Sequence, residues 1–469
     1  MSHDRLAFTP AAQLASLIRS RQLSPVELVD VLLSRIDELN PRLSAYITVT
    51  AEEARAAARR AEKAVMEGAS LPSLHGVPVS IKDLFFTKGV RTTGGSMAYA
   101  NFVPDEDAAV VERLKAAGAI ILGKTNTPEF AMSSTTDGRL GGSCRNPWDT
   151  TRTSGGSSGG AASSVAAGMG PLAVGSDSGG SIRIPSAFCG VFGFKPTYGR
   201  VPISGGFDGM PLFTHVGPIT RTVADAALML GVMAGYDRRD PTSLRETPPD
   251  FLAGMPKGPG ELRIAWSPDL GYATIDPEVR EIAGRAAKVF DSLGFGVADQ
   301  SPDAGFPSAA FNTIIQADLY VAFGHLLDQQ ADELVPYTRS TFERGRDVPA
   351  HEYSRAIANL APFRARMADF FERYDLLLAP ATAVAAHPLG QRPREVAGVK
   401  VSSYWWAVPM TMPFNITGQP AASLPCGFTA AGLPVGLQVI GRIGADMTVL
   451  QACAAFEAAR PWADRIPAI

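Results

Sequence analysis

The chain has 469 residues, of which 46% are hydrophobic and 19% charged, a composition that excludes wholesale disorder and allows a large core. Its 43 Lys and Arg residues nearly balance 46 Asp and Glu residues, which gives a net charge of -3. Because the sequence has no long run of like charges, nucleic acid is not expected as a partner.

The first 70 residues are predicted to be helical. Ser24-Pro25-Val26-Glu27 is a capping box with proline at the first helical position, and apolar side chains at 29, 32, 33 and 36 follow at helical spacing. The N-terminal residues show no basic stretch that leads into an apolar block, so they do not indicate a secretory signal. A cytoplasmic location is therefore expected.

The next region, residues 71–245, alternates short apolar runs with helical segments. Strands are predicted over 77–81, 119–122 and 172–174, and helices over 108–117, 160–167 and 222–235. This alternation predicts a largely parallel sheet with helices on both faces. Residues 153–176 carry no charge, but they are rich in Gly, Ser and Ala, so they are not predicted to span a membrane.

The remaining sequence is richer in helix. Residues 261–298 read as strand, helix and strand; long helices are predicted over 310–329 and 352–374, strands over 375–378, 421–425 and 435–440, and a final helix over 447–459. Residues 246–400 are expected to form a lobe over the sheet. The widely separated cysteines fit neither a disulfide framework nor a zinc site and are predicted to be buried free thiols: Cys144, Cys189, Cys426 and Cys453.

Two motifs suggest other enzyme classes but lack the right context. Residues 118–125 fit the P-loop expression G-x-x-x-x-G-K-[ST], but the four intervening residues read as a buried strand instead of a glycine-rich turn. Residues 155–159 fit the G-x-S-x-G nucleophile elbow, but a polar loop precedes Ser157 where an apolar strand is needed. A P-loop nucleotide site and a Ser/His/Asp triad are therefore disfavoured.

Two Gly-Ser clusters, residues 154–160 and 175–181, flank a helix of small residues. Dense glycine is typical where the backbone approaches a ligand closely, and the second cluster could aim several N–H groups at one oxyanion. A serine nucleophile also needs a base, and no histidine lies nearby in the sequence. Lys82, which ends an apolar strand, is the best candidate, because burial could lower its pKa from about 10.4 toward 7 to 8.

Lys82, Ser157 and Ser181 occur in this order, 75 and 24 positions apart, and the last of them lies in Gly175-Ser-Asp-Ser-Gly-Gly-Ser-Ile-Arg-Ile-Pro185. This pattern closely resembles the amidase signature family. The resemblance also takes in residues 123–130, 145–148, 194–200, 215–221, 418–427 and 432–438. It therefore covers most of the chain and is weakest between 246 and 400.

The resemblance implies a single large α/β domain over residues 1–469. Its central sheet is expected to be mixed, mostly parallel and twisted, with helices on both faces. Four segments are expected within it: an N-terminal helical segment (1–70), a catalytic core (71–245), a helix-rich lobe over the site (246–400), and a return to the sheet with a final helix (401–469).

The resemblance also implies a role for each residue of the site. Ser181 matches the nucleophile, Lys82 the base, and Ser157 the middle member that passes the proton between them and follows a cis peptide bond. The oxyanion hole corresponds to the backbone amides of Ser178, Gly179, Gly180 and Ser181. Supporting positions correspond to Ser158, Asp177 and Arg183.

An enzyme of this kind hydrolyses a carboxylic amide C–N bond through an acyl-enzyme on Ser181, with the proton passing via Ser157 to neutral Lys82. Neither a metal nor an organic cofactor is expected. The expected substrate is a small apolar or aromatic linear amide, and esters and carbamates stay open. The expected partner is thus a small molecule, without nucleic acid or membrane, and the chain could act as a homodimer.

The residues that select the substrate are harder to predict. In the related A subunit of glutamyl/aspartyl-tRNA amidotransferase, an acidic residue recognises the amine of glutamine. This residue lies shortly before the segment equivalent to 413–415. Residues 404–412 contain no acid, which disfavours a charged amino-acid substrate. Tyr404, Trp405 and Trp406 could line an apolar or aromatic acyl pocket or pack in the core. A glutamine-hydrolysing A subunit of such an amidotransferase is the alternative function.

Overall fold

The N-terminal region is helical, as its apolar spacing predicts. In the computed structural model, which describes residues 3–401 and 409–469, this region comprises α1 (His3–Ala7), α2 (Ala11–Arg19), α3 (Pro25–Leu43), β1 (Tyr46–Val49) and α4 (Ala51–Met66). Ser24 caps α3, because its Oγ accepts hydrogen bonds from the N–H groups of Val26 and Glu27 at 3.0 and 3.3 Å. Strand β1 was not predicted, since a strand of four residues between helices carries little periodic signal.

The region that follows alternates strands and helices. Its elements are β2 (Pro78–Lys82), α5 (Ala109–Ala116), β3 (Ile120–Thr125), β4 (Arg145–Asn146), β5 (Asp149–Thr153), α6 (Gly159–Ala166), β6 (Leu172–Asp177), α7 (Arg183–Cys189), β7 (Phe192–Lys195), β8 (His215–Thr220) and α8 (Val223–Met233). The strands and helices predicted here are confirmed to within about three residues at each end. The motif that resembles a P-loop forms β3, so it is a strand and not a phosphate-binding turn.

The C-terminal part contains the long helices and the remaining strands. Its elements are α9 (Phe251–Gly254), β9 (Ile264–Trp266), α10 (Pro277–Ser292), β10 (Val297–Asp299), α11 (Ser308–Phe323), α12 (Leu326–Gln329), α13 (Pro336–Arg346), α14 (Ala350–Arg373), β11 (Leu376–Pro380), β12 (Glu395–Val396), β13 (Val399–Lys400), α15 (Pro413–Ile416), β14 (Ala421–Phe428), β15 (Pro434–Gly441) and α16 (Asp446–Ala459). The single helix predicted over 310–329 is divided into α11 and α12 at Gly324 and His325. Glycine weakens a helix at such a point.

One sheet of eleven strands runs through the molecule in the order β1-β3-β2-β6-β8-β7-β14-β15-β11-β9-β10. Four neighbouring pairs are parallel (β2–β3, β2–β6, β9–β11 and β9–β10), and six are antiparallel. The mixed sheet is confirmed, but its parallel share is smaller than predicted. One antiparallel pair follows from a short connection: five residues, 429–433, join β14 to β15, too few for the crossover that a parallel pair needs.

Helices cover both faces of the sheet, as predicted for a single α/β domain. Leu172 and Val174 of β6 pack in a cluster with residues of α5 and α8, whereas Ala173 between them packs with residues of α6. Cys144, Cys189 and Cys453 are buried free thiols, as predicted, and Cys426 is partly buried. Within residues 3–401 and 409–469, no helix is both long and apolar enough to cross a membrane.

Candidate active site

Lys82 lies at the carboxyl end of β2, next to the carboxyl end of the parallel strand β6. Its side chain is fully buried. Three hydroxyls surround its Nζ: Ser157 Oγ at 2.7 Å, Ser158 Oγ at 2.9 Å and Ser176 Oγ at 2.9 Å. The structure therefore brings together the predicted Lys82, Ser157 and Ser158, and it adds Ser176.

The environment of Lys82 favours the neutral amine. Burial lowers the pKa of Lys82 well below its ordinary value, and the more distant charge of Asp177 offsets this in part. No carboxylate of the described residues lies within ion-pair distance of Nζ. Ser158 Oγ donates to the carbonyl of Ser176 at 3.2 Å, so it must accept from Lys82. A neutral amine then keeps its lone pair available for the hydroxyl proton of Ser157.

Ser157 and Ser158 stand immediately before α6, in the first Gly-Ser cluster. The peptide bond between Gly156 and Ser157 is cis. A Cβ on Gly156 would come within 2.8 Å of the backbone carbon of Thr135, so the close approach of two backbone segments requires glycine here. The first cluster thus holds two hydroxyls against Lys82 with little space for larger residues.

Ser181 lies in the loop between β6 and α7, which the second Gly-Ser cluster forms. The N–H of Ser158 donates to the carbonyl of Ser181 at 3.1 Å, and this bond joins the two clusters. The Ser181 hydroxyl forms no hydrogen bond with any residue that the structure describes. The structure therefore brings Ser181 beside the Lys82 cluster through its backbone, and the link between the Ser181 and Ser157 hydroxyls is not made.

Of the four backbone amides predicted to form the oxyanion hole, one already has a hydrogen-bond partner within the protein. The N–H of Gly180 donates to Asp177 Oδ1 at 2.7 Å, so this group is already taken. The N–H groups of Ser178, Gly179 and Ser181 have no partner among the described residues, so three of the four predicted donors are unoccupied. Gly180 is glycine for a different reason: its φ is +132°, and a Cβ there would overlap Thr411 Oγ1.

Asp177 and Arg183 form a buried ion pair behind this loop. Arg183 Nη2 lies 2.8 Å from Asp177 Oδ1, and Nε lies 3.0 Å from Oδ2. Burial alone would raise the pKa of Asp177, but the charge and hydrogen bonds of Arg183 hold that pKa below its usual range. The remaining N–H groups of Arg183 donate to Thr411 O, Gln438 Oε1 and Asn415 Oδ1. The pair therefore fixes the loop that carries the free amides.

Sequence reasoning missed several of these residues. Ser176 could have been found, since it lies in the second Gly-Ser cluster, next to Asp177 at the end of β6. Asn415 and Gln438 lie in segments that match the family but were given no role, because they are 232 and 255 positions from the arginine that they contact.

Two adjoining cavities meet at this site. The first, called the Ser181 cavity, is lined by Ser178, Gly179 and Ser181, together with apolar side chains of α11. The second, called the Asp208 cavity, is smaller and shares Ser178 with the first. The predicted pocket residues Tyr404, Trp405 and Trp406 lie outside the described residues.

No imidazole of the described residues hydrogen-bonds to Lys82, Ser157 or Ser181. His215 is buried on β8, where its Nδ1 lies 2.8 Å from the carbonyl of Phe213. Burial lowers the pKa of His215 well below its ordinary value. In the described ranges, no three His, Cys, Asp or Glu side chains converge as metal ligands.

Comparison with known proteins agrees with this geometry. The sequence profile of the amidase family matches residues 27–450. The chain belongs to the amidase family. It is 39% identical to an acylamidase of Rhodococcus erythropolis over 100% of this chain and 99% of that relative. It is also 38% identical to the A subunit of a glutamyl-tRNA(Gln) amidotransferase from Moorella thermoacetica, over 98% and 99% of the two chains.

A solved structure of a bacterial aryl acylamidase of the amidase signature family superimposes on this amidase with a TM-score of 0.92. The two are 32% identical, and the match covers 97% of each chain. The predicted family, the single α/β domain with a large mixed sheet, and the amide-hydrolysing class of enzyme are therefore confirmed.

Proposed function

We propose that this enzyme hydrolyses the C–N bond of small, largely apolar amides through an acyl-enzyme on Ser181, with Lys82 as the base. The observation that supports this most strongly is the hydrogen bond of 2.7 Å between Ser157 Oγ and the fully buried Nζ of Lys82. Burial without a carboxylate partner keeps the amine neutral, so its lone pair is available to accept the hydroxyl proton.

The chemistry runs in two halves. Ser181 Oγ attacks the carbonyl carbon while its proton moves through the Ser157 hydroxyl to Lys82 Nζ, and the same path returns the proton to the leaving nitrogen as the C–N bond breaks. Water then attacks the acyl ester and gives its proton to the same relay, which returns the proton to Ser181 Oγ as the ester bond breaks and the carboxylic acid leaves. Ser181 turns toward Ser157 once substrate is bound, since catalytic hydrogen bonds often tighten in the substrate complex.

The free amides supply the electrostatic part of the mechanism. The N–H groups of Ser178, Gly179 and Ser181 stabilise the oxyanion that forms on the carbonyl oxygen. The ion pair of Asp177 with Arg183 keeps these donors in place before substrate arrives, so little reorganisation is needed as charge develops.

The Ser181 cavity favours an apolar substrate. Its wall contains Ile184, Met210, Phe311, Ile315 and Leu319. Such a surface gains free energy by removing an apolar acyl or aryl group from water. The proposed substrate class is therefore small apolar or aromatic amides, with esters and carbamates as further candidates.

The purified chain alone, assayed with para-nitroacetanilide and with glutamine, tests this proposal. We expect turnover of the anilide without any added protein, followed as release of para-nitroaniline. Activity on glutamine alone, and only after other subunits are added, would contradict the proposal. That result would favour the role of an amidotransferase A subunit, the name that several relatives carry.

A further inference from the structure

The Asp208 cavity contains a carboxylate for which the proposed acyl-transfer chemistry has no use. Asp208 Oδ1 accepts hydrogen bonds from the N–H of Met210 at 3.1 Å and from Thr214 Oγ1 at 2.8 Å. Oδ2 forms no hydrogen bond with the described residues, and the side chain lines the cavity. One oxygen therefore fixes the carboxylate while the other stays available to a ligand.

The rest of this cavity is apolar or carries hydroxyls. Its lining combines apolar side chains such as Leu84, Phe130 and Phe207 with the hydroxyls of Ser176, Ser178 and Thr214. None of these is basic, and Asp208 has no ion-pair partner in the described part of the chain. Burial raises the pKa of Asp208, and the charges of Asp240 and Asp318 add to this effect. A cation at Oδ2 would offset both the burial of the Asp208 carboxylate and its repulsion by Asp240 and Asp318.

The position of Asp208 relates it to the reacting atoms. Thr214 Oγ1 also hydrogen-bonds to Ser178 Oγ at 2.8 Å, and the backbone amide of Ser178 is one of the three free donors. Ser178 lines both cavities, so a substrate whose carbonyl lies at the free amides can extend into the Asp208 cavity. The carboxylate then faces the end of the substrate and not the scissile bond.

We propose that Asp208 binds an ammonium group at the far end of an otherwise apolar amide substrate and so selects such substrates. This inference rests on the proposed function, because it concerns the substrate of the same Ser181 site. An ammonium bound to a held carboxylate forms a charge-assisted hydrogen bond, whereas a methyl group in its place leaves Oδ2 unpaired.

Two matched substrate pairs test the proposal, each measured as kcat/KM with wild type and Asp208→Asn. One pair, the para-nitroanilides of δ-aminovaleric and hexanoic acids, places ammonium or methyl on the acyl side. The other pair, para-(aminomethyl)acetanilide and para-ethylacetanilide, places the ammonium or methyl group on the amine side of the scissile bond. We expect wild type to prefer the ammonium member of at least one pair by about tenfold or more, and Asp208→Asn to lose that preference.

The apolar members serve as the control for structure, since Asn keeps the shape and can accept the same two hydrogen bonds at Oδ1. Their kcat/KM should change less than about threefold, which a merely structural role of Asp208 would not predict. Asp240→Asn is the matched charge control, because this acid lies outside the cavity lining and accepts hydrogen bonds from Ile203 N and Thr242. No ammonium preference in either pair, or an equal preference in wild type and Asp208→Asn, would overturn the proposal.

Failure of the proposed function can be told apart from failure of this inference. If wild type cleaves none of the four anilides, the proposed function is wrong, and binding decides the role of Asp208. Calorimetry then compares Ser181→Ala with the Ser181→Ala, Asp208→Asn double variant, using para-(aminomethyl)acetanilide as the probe. A Kd raised about tenfold in the double variant supports the ammonium site, and equal Kd values overturn it.

Discussion

Lys82→Met is expected to lower kcat by about 10²- to 10⁴-fold, the usual contribution of a positioned proton acceptor. Methionine fills much of the space of the lysine stem, so the buried end of β2 should stay packed. What is lost is the nitrogen that contacts three serine hydroxyls. Initial rates with an anilide, together with circular dichroism and a urea unfolding curve, measure the two effects separately.

Lys124→Met is the matched control for this variant. Lys124 is also fully buried, on the neighbouring strand β3, and burial lowers its pKa to about 7. Its Nζ donates to Thr87 Oγ1 at 2.8 Å and to Thr92 Oγ1 at 3.0 Å, and it does not contact Ser157. We expect this variant to lose stability but less than about tenfold in kcat. Equal losses of kcat in the two variants would show that Lys82 acts through the fold and not as the base.

Ser181→Ala is expected to lower kcat by about 10⁴-fold or more, because no other hydroxyl would carry the acyl group. In wild type, rapid acid quenching of a reaction with a slowly hydrolysed ester should trap the acyl-enzyme. Its mass should exceed that of the free protein by the mass of the added acyl group. Peptide mapping by mass spectrometry should place that adduct on Ser181, and Ser181→Ala should show none.

Ser178→Ala is the control for Ser181→Ala, since both serines line the same cavity and the Ser178 hydroxyl hydrogen-bonds to Thr214. We expect Ser178→Ala to retain the adduct and to keep kcat within about tenfold of wild type. An adduct that persists in Ser181→Ala, or that maps to Ser157, would contradict the assignment of the nucleophile.

Much of the fold could be predicted because its local signals agree with the final structure. The capping box at Ser24 marks the start of α3, and short apolar runs mark β2, β3 and β6. Strand direction could not be predicted in the same way. Pairs such as β7–β14 bring together residues more than 200 positions apart, and no local pattern specifies their orientation.

The site was predictable to the extent that its residues lie in unusual local sequence. The Gly-Ser clusters marked the region of the site, and a lysine at the end of an apolar strand identified Lys82. The resemblance to the amidase signature family then assigned Ser157, Ser158 and Ser181. The hydrogen bond from the Gly180 amide to Asp177 could not be predicted, because it depends on how the loop between them folds back. Asp208 was also missed, since an acid in a loop is ordinarily a solvated residue and its place in a cavity depends on tertiary packing.

The dependence of kcat/KM on pH tests most directly the claim that a neutral Lys82 is the base. Since the neutral amine is the active form, activity should rise as pH rises through the pKa of Lys82 and then reach a plateau. Burial lowers that pKa, so the plateau should begin below the ordinary lysine value of about 10.4. The residual activity of Lys82→Met should lack this inflection. An unchanged inflection in Lys82→Met, or a rise that continues to about pH 10.4 in wild type, would contradict the account.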